Sequence, residues 1–260
     1  MEYGDKHILV LGAGASGIGA SWVLAQVGAH VVLNDYKPVT LPADEEKRLV
    51  SAGVDIITGR QDESLLDGVD RIVISPGISL DIPIVKAAQA RGIDVVSEVE
   101  VAYELSKSPI VAVTGTNGKT TTTTLLTKVL EGTGKPVRVG GNIGDSLSEV
   151  AYSMPADGFL VAELSSYQLE TIKHFRPIGA IMLNITPDHL ARHKTMENYI
   201  AAKERIFENQ LSTDFMVLNI DDPIVADMKH RAPSHILEIS QHQVVSNGAY
   251  YDKGQCYVTK

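Results

Sequence analysis

A chain of 260 residues, 44% hydrophobic and 21% charged, can bury a sizeable core and is too apolar for disorder; its length suits two domains. The formal net charge of −9 disfavours broad attraction to nucleic acid or insertion into an anionic membrane, because both reward a positive face. A single cysteine, Cys256, leaves no internal disulfide and fits a reducing cytoplasm, and the start MEYGDKHILVLG has neither the basic n-region nor the apolar length of a signal peptide or membrane span.

In chain order, short β-branched runs alternate with glycine or polar residues and helix-like stretches, the rhythm of repeated βαβ units in an α/β fold. HILVLG (7–12), HVVLND (30–35), VDIITG (54–59), RIVISPG (71–77) and IDVVSE (93–98) are five predicted strands. Most are too apolar for one-sided burial, so a parallel sheet covered on both faces is expected. SGIGASWVLAQVG (16–28) and IPIVKAAQARG (82–92) have helical spacing and end in glycine. The pattern pauses at Ser106-Lys107-Ser108-Pro109, which sets a boundary between residues 1–107 and 108–260. Strand signals then resume at PIVAVTG (109–115), PVRVGG (136–141), FLVAELSS (159–166), IGAIMLNIT (178–186), DFMVLNIDD (214–222) and HILEIS (235–240). GAYYDKGQCYVT (248–259) reads as a hairpin turning at Asp252-Lys253-Gly254.

Gly12-x-Gly14-x-x-Gly17 follows the first strand and opens a helix, with Asp35 ending the second strand. Glycines there let backbone approach a phosphate at a helix N-terminus, and the acid can accept ribose hydroxyls, so residues 1–107 read as a Rossmann-like nucleotide-binding domain. A tight strand-to-helix turn with no ligand is the plain alternative, and an NAD(P)-dependent oxidoreductase the obvious functional one. Ser75-Pro76-Gly77 closes the fourth strand at the same carboxyl edge.

Against the oxidoreductase stands a second loop, Gly115-Thr116-Asn117-Gly118-Lys119-Thr120, with Val113 where the full phosphate-loop pattern has its first glycine. Its backbone amides can cradle phosphate, Lys119 can neutralise it, and the Thr120 hydroxyl can meet Mg²⁺. Thr121 to Thr124 are weak helix formers whose hydroxyls can also serve phosphates or be tolerated packing. Residues 108–260 thus read as a P-loop-type ATP-binding α/β domain. Mg²⁺ takes oxygen ligands and keeps several waters, so Glu163, after an apolar run, is a candidate partner for Thr120, although a lone acid there is more often a solvated strand end. Pro187-Asp188-His189-Leu190-Ala191-Arg192-His193 concentrates charge and imidazole at the next strand's end, with both histidines candidates for metal or phosphate contact. Lys203 lies on the amphipathic run ENYIAAKERIF, where an exposed lysine is the ordinary reading.

Together GTNGKT, NITPDHL, the helix carrying AAK, GAGASG with Asn34-Asp35, and ELSSYQLE (163–170) resemble the Mur ligases, ATP-dependent amide-forming enzymes of peptidoglycan precursor synthesis, over essentially the whole chain. GAGASG and ELSSYQLE are similar to the branch that adds D-glutamate to UDP-N-acetylmuramoyl-L-alanine. The resemblance implies that Gly14, Ala15, Ser16, Asp35 and Tyr36 lie by the uridine diphosphate, that Ser75, Pro76 and Gly77 close the uracil side, and that Asn142 meets the same substrate. It implies ATP phosphates on Gly115 to Thr121, Mg²⁺ at Thr120 and Glu163, and a second Mg²⁺ at His189. Lys203 matches the lysine that relatives carboxylate, a change that turns an ammonium into an anion with oxygen ligands. Lys119, His189 and Lys203 would then carry catalysis, in a monomer of the cytoplasm that uses ATP, D-glutamate and the UDP-sugar; no general base for the amine is identifiable. The family usually has HLDRH where this chain has Ala191, so a weaker second metal site is expected. Family members usually run on past Lys260 through the rest of the ATP domain and a domain for the incoming amino acid. The expectation for this chain is a substrate-binding fragment that forms no amide alone, with a non-catalytic nucleotide-binding fragment as the plainer alternative.

Overall fold

A computed structural model describes residues 3–260, and their contacts form two compact units. The first comprises residues up to Lys107 with Gly144–Ser153 and Thr171–Lys173; the second comprises Ser108–Ile143, Met154–Glu170 and His174–Lys260. Among the described residues no helix is long and apolar enough to cross a membrane.

The first unit begins β1 (His7–Leu11), α1 (Ala15–Gln26), β2 (His30–Asp35), α2 (Ala43–Ser51), β3 (Asp55–Thr58) and β4 (Arg71–Ile74), then α3 (Pro83–Ala90), β5 (Asp94–Ser97) and α4 (Glu98–Leu105). The strands make a parallel sheet of order β3-β2-β1-β4-β5. Alternation along β1 explains its unbroken apolar run. Ile8 and Val10 join one core with Leu24 of α1 and Leu49 of α2, while Leu9 and Leu11 join another with Ile84, Val85 and Ala88 of α3. Successive strands are laid outward from β1 on one side and then from β4 on the other. That switch point opens a crevice at the carboxyl ends of β1 and β4, the usual ligand edge of open α/β sheets.

The second unit contains β6 (Ile110–Thr114), α5 (Lys119–Glu131) and β7 (Val137–Gly141). The chain then contributes α6 (Leu147–Ser153) to the first unit, where it packs on α1 and α4. It continues as β8 (Phe159–Glu163), α7 (Ser166–Leu169), β9 (Gly179–Met182), α8 (Leu190–His193), α9 (Met196–Glu204) and β10 (Phe215–Asn219). Last come α10 (Pro223–Asp227), β11 (His235–Ser240), β12 (Gly248–Asp252) and β13 (Gln255–Thr259). Eight strands run β13-β12-β11-β10-β9-β6-β8-β7, parallel throughout except for the β12–β13 hairpin. The hairpin turns on Lys253 and Gly254, both with positive φ, as a two-residue turn matched to strand twist requires. One predicted feature shifts, since the run at 93–98 ends its strand at Ser97 and starts α4 at Glu98, and the acidic stretch 43–51 adds a helix that the sequence reading does not name.

Candidate functional sites

In the first unit the glycine turn joins β1 to α1. Gly12 has φ +100°, and its carbonyl accepts a hydrogen bond from Ser75 Oγ at 3.3 Å. Gly17 sits so close behind it that a Cβ there would lie 1.8 Å from the Gly12 oxygen. A Cβ on Gly14 would meet nothing within 4 Å, so that side of the turn faces open space. Gly14 also caps the 12-residue α1 without any side-chain acceptor, leaving the helix's first amides to an outside anion. Asp35 ties this turn down before it serves any ligand: Oδ2 accepts from the Ala13 amide at 3.0 Å and Oδ1 from the Lys37 amide at 2.9 Å. Gly14, Ala15, Ser16, Asp35, Tyr36, Ser75, Pro76 and Gly77 therefore share the carboxyl edge of β1, β2 and β4, with the Tyr36 ring 69% exposed.

In the second unit β6 ends in the loop Gly115 to Gly118. Gly118, at φ +86°, reverses the chain to start the 13-residue α5 and again offers no side-chain cap. Residues 184–186 strap this loop from the next strand. Asn184 accepts from the Asn117 amide through Oδ1 (2.8 Å) and donates to the Asn117 carbonyl through Nδ2 (3.0 Å), while the Thr116 amide donates to the Asn184 carbonyl at 2.9 Å. Lys119 Nζ folds over the loop, donating to the Gly115 carbonyl at 3.0 Å and the Thr116 carbonyl at 2.8 Å.

Lys203 reaches the same carbonyl from beneath. Its Nζ donates to Gly115 O at 2.8 Å and to Thr114 Oγ1 at 3.3 Å, and the residue is 1% exposed. Burial, with Lys119 nearby and Asp188 opposing, pushes its amine down to about 7. The ordinary exposed-lysine reading of this position is thus set aside by its packing. Thr120 and Thr121 are exposed on the first turn of α5.

Glu163 ends β8, paired in register with Val113 of β6, and is 1% exposed. Its Oε1 accepts from Asn142 Nδ2 at 2.8 Å, whereas the buried Oε2 has no hydrogen-bond partner among the described residues. Asn142 thus lies with Glu163 in the second unit, while the other residues expected at the UDP-sugar lie in the first. Beyond Glu163, Ser165 and Gln168 form a capping box that starts α7 and presents Tyr167. The two histidines part company. His189 adopts φ +54° at the start of α8, stays partly exposed, and sets Nε2 3.3 Å from Asp188 with Tyr167 packed at 4.9 Å. His193 is turned inward, with Nε2 2.9 Å from Ser166 Oγ and Nδ1 3.4 Å from Glu170, and burial lowers its basicity. It braces α7 against α8 and does not face the loop.

Among the described residues no group of three His, Cys, Asp or Glu side chains could hold a metal ion by itself. Mg²⁺ does not ask for one, since it keeps several waters and uses one or two carboxylates plus substrate phosphates. A buried carboxylate oxygen without a hydrogen-bond partner among the described residues, on a residue paired in register with Val113 two positions before Gly115, fits that habit. Lys203 as an amine offers no oxygen to a cation.

A helix-opening glycine loop on a parallel sheet, backed by a lysine and a strand-end carboxylate, is the arrangement of a P-loop-type α/β protein. Residues 113–258 match the Mur ligase middle domain, and residues 6–97 match the MurD-like N-terminal domain of Mur ligases. The chain belongs to the Mur ligase family. It is 45% identical over 259 residues to a UDP-N-acetylmuramoylalanine–D-glutamate ligase of Thermoanaerobacter sp. (strain X514), covering 100% of this chain and 57% of that protein. The corresponding protein of Halalkalibacterium halodurans is 44% identical over 257 residues, with 99% and 57% covered. The chain therefore spans little more than half the length of these relatives. In fold it is similar to the UDP-N-acetylmuramate:L-alanyl-γ-D-glutamyl-meso-diaminopimelate ligase of Neisseria meningitides, with a TM-score of 0.63, 20% identity, and 94% of this chain and 83% of that one covered.

Proposed function

We propose that this chain carries the UDP-sugar-binding and ATP-phosphate-binding parts of a cytoplasmic ligase that joins D-glutamate to UDP-N-acetylmuramoyl-L-alanine. The observation that carries this reading is the convergence of Lys119 and Lys203 on one glycine loop: both amines donate to the Gly115 carbonyl, while on the neighbouring strand Glu163, in register with Val113, keeps a buried carboxylate oxygen without a hydrogen-bond partner among the described residues. A nicotinamide oxidoreductase would leave that convergence without a task, and membership of the Mur ligase family speaks against it.

In this reading the first unit holds the uridine diphosphate on the open side of Gly14, at the uncapped amides of α1, with Asp35 and Tyr36 beside it and Ser75 to Gly77 across the crevice. Gly115 to Thr121 hold the ATP phosphates, and Lys119 swings from the loop carbonyls to the γ-phosphate as it transfers to the L-alanyl carboxylate. The D-glutamate amine then attacks the acyl phosphate, and ADP and phosphate leave. Magnesium bound at Thr120 and Glu163, with a second ion at His189, would neutralise phosphate charge. Phosphoryl transfer asks mainly for positioning and charge neutralisation, which these residues supply. Lys203 is held in the state that carboxylation requires, because an amine brought down to about 7 is substantially neutral near physiological pH and can take up carbon dioxide.

Titration calorimetry tests the reading. UDP-N-acetylmuramoyl-L-alanine should bind this chain more tightly than NAD does, and Asp35→Ala should weaken that binding. Equal affinity for the two ligands, or no loss on substitution, would overturn the assignment of the first unit.

A further inference from the structure

Two neighbouring strands of the first sheet open on a histidine, HILVL and HVVLND, and parallel pairing in register sets His7 beside His30. Side chains alternate along a strand, so His7 shares the face of Leu9 and Leu11, and His30 that of Val32. Asp55 pairs with Val32 and stands on the same face of β3. Three polar side chains thus occupy the amino rim of a face whose further positions belong to the α3 core. The crevice between β1 and β4 lies at the opposite, carboxyl end of these strands.

His7, His30 and Asp55 line a cavity of about 330 Å³ whose back is closed by Leu65 and Val69. The two imidazoles are stacked, with centroids 4.7 Å apart and planes 20° from parallel, and both residues are exposed. Neither imidazole nor the Asp55 carboxylate has a side-chain hydrogen-bond or ion-pair partner among the described residues. The other polar groups of the cavity are committed: the Ser64 hydroxyl donates to Asp62, and Asp67 pairs with Arg91 at 3.3 Å.

A borderline divalent cation takes imidazole nitrogens at about 2.0–2.1 Å, so two nitrogens that share one ion stand about 3 to 4 Å apart. Exposed rings stacked at 4.7 Å reach that spacing by turning about χ2, without moving either strand. Among the described residues no third His, Cys, Asp or Glu joins them as a ligand, so water fills the remaining positions, and Asp55 adds a negative charge on the same face. Imidazole suits nickel, copper and zinc, whereas Mg²⁺ asks for oxygen.

We infer that His7 and His30 form a two-imidazole chelate for a divalent transition-metal cation at the amino edge of the first sheet. The bound ion ties β1 to β2 where both strands begin. This site is independent of the ligase reading, because none of its residues belongs to the glycine turn of the first unit or to the phosphate loop.

Zinc is diamagnetic, so nuclear magnetic resonance of the whole chain reads both rings directly. The ring C–H signals of His7 and His30 should shift with Zn²⁺ along one common isotherm, and Mg²⁺ in excess should move neither. In calorimetry with Ni²⁺, His7→Ala and His30→Ala should each weaken the site on the order of tenfold or more, and the double variant should lose no more than either single one, because a chelate is broken only once. Both positions are exposed, so unchanged circular dichroism of the variants is expected, and the wild-type zinc titration decides by itself should a variant unfold. Separate isotherms for the two rings, additive losses in the double variant, an equal response to Mg²⁺, or no shift at either ring would each overturn the chelate and leave a plain stacked pair.

Discussion

Replacing Lys203 by methionine keeps the length of the side chain and removes its charge. In the folded protein burial holds this amine at about 7 against an ordinary 10.5. Below about 7 it is protonated in both folded and unfolded chains, and above 10.5 it is neutral in both. Between those limits the unfolded chain holds a proton that the folded chain has given up, so the stability of the wild type rises with pH across that window. A gap of roughly 3.5 pH units at about 1.4 kcal/mol each makes the burden on the folded state on the order of 5 kcal/mol at its low-pH end. The substitution forfeits two hydrogen bonds of about 1 kcal/mol each, to Gly115 O and Thr114 Oγ1, although Gly115 O retains Lys119. Lys203→Met should therefore be the more stable protein near pH 6.5 by about 3 kcal/mol, with an advantage that shrinks towards pH 10. Urea unfolding of both proteins followed by circular dichroism, at several pH values in buffer free of carbon dioxide, nucleotide and Mg²⁺, gives the difference with other titrations cancelled. A difference that stays flat from pH 6.5 to 9.5 would refute a buried, largely neutral lysine.

Gly17→Ala drives a Cβ to within 1.8 Å of the Gly12 carbonyl, a backbone atom, so it should cost about 3 kcal/mol or more in denaturant unfolding; a variant of wild-type stability would contradict the tight turn. Glu98 is buried, accepts from Ser146 Oγ at 2.9 Å and the Ser148 amide at 2.6 Å, and burial raises its carboxyl above the usual range. Its contribution is intact at low pH and lost as pH rises through the folded value, so Glu98→Gln should gain melting temperature over the wild type at pH 8 relative to pH 4.5, and an equal difference at both would exclude this. Ala191 is exposed and its carbonyl accepts from Lys194 Nζ at 2.9 Å. Ala191→Asp, which restores the acid of the family pattern beside His189, should tighten Mg²⁺ binding in the presence of ATP, and identical calorimetric isotherms for the two proteins would remove that role.

Much of this protein was legible from local pattern. β-Branched runs, glycine punctuation and the glycine-lysine-threonine loop depend on neighbours within a few residues, so strands from β1 to the β12–β13 hairpin, the two helix-opening turns and the family could all be inferred without a structure. Contacts between residues far apart in sequence decided the rest. The AAK resemblance points Lys203 to the site, but no local pattern predicts that it is buried under a loop 88 residues away, where desolvation changes its protonation. His189 and His193 look equivalent in NITPDHLARH, yet packing turns one outward and locks the other between Ser166 and Glu170. Asn184 straps the phosphate loop 67 residues before it, and α6 leaves the run of the second unit to pack on α1 and α4 because Glu98 and the apolar faces of those helices receive it. Local backbone preference and hydrophobic period act over a few residues and write themselves into the sequence, whereas burial, proton affinity and the meeting of distant side chains exist only once the sheets have closed over them.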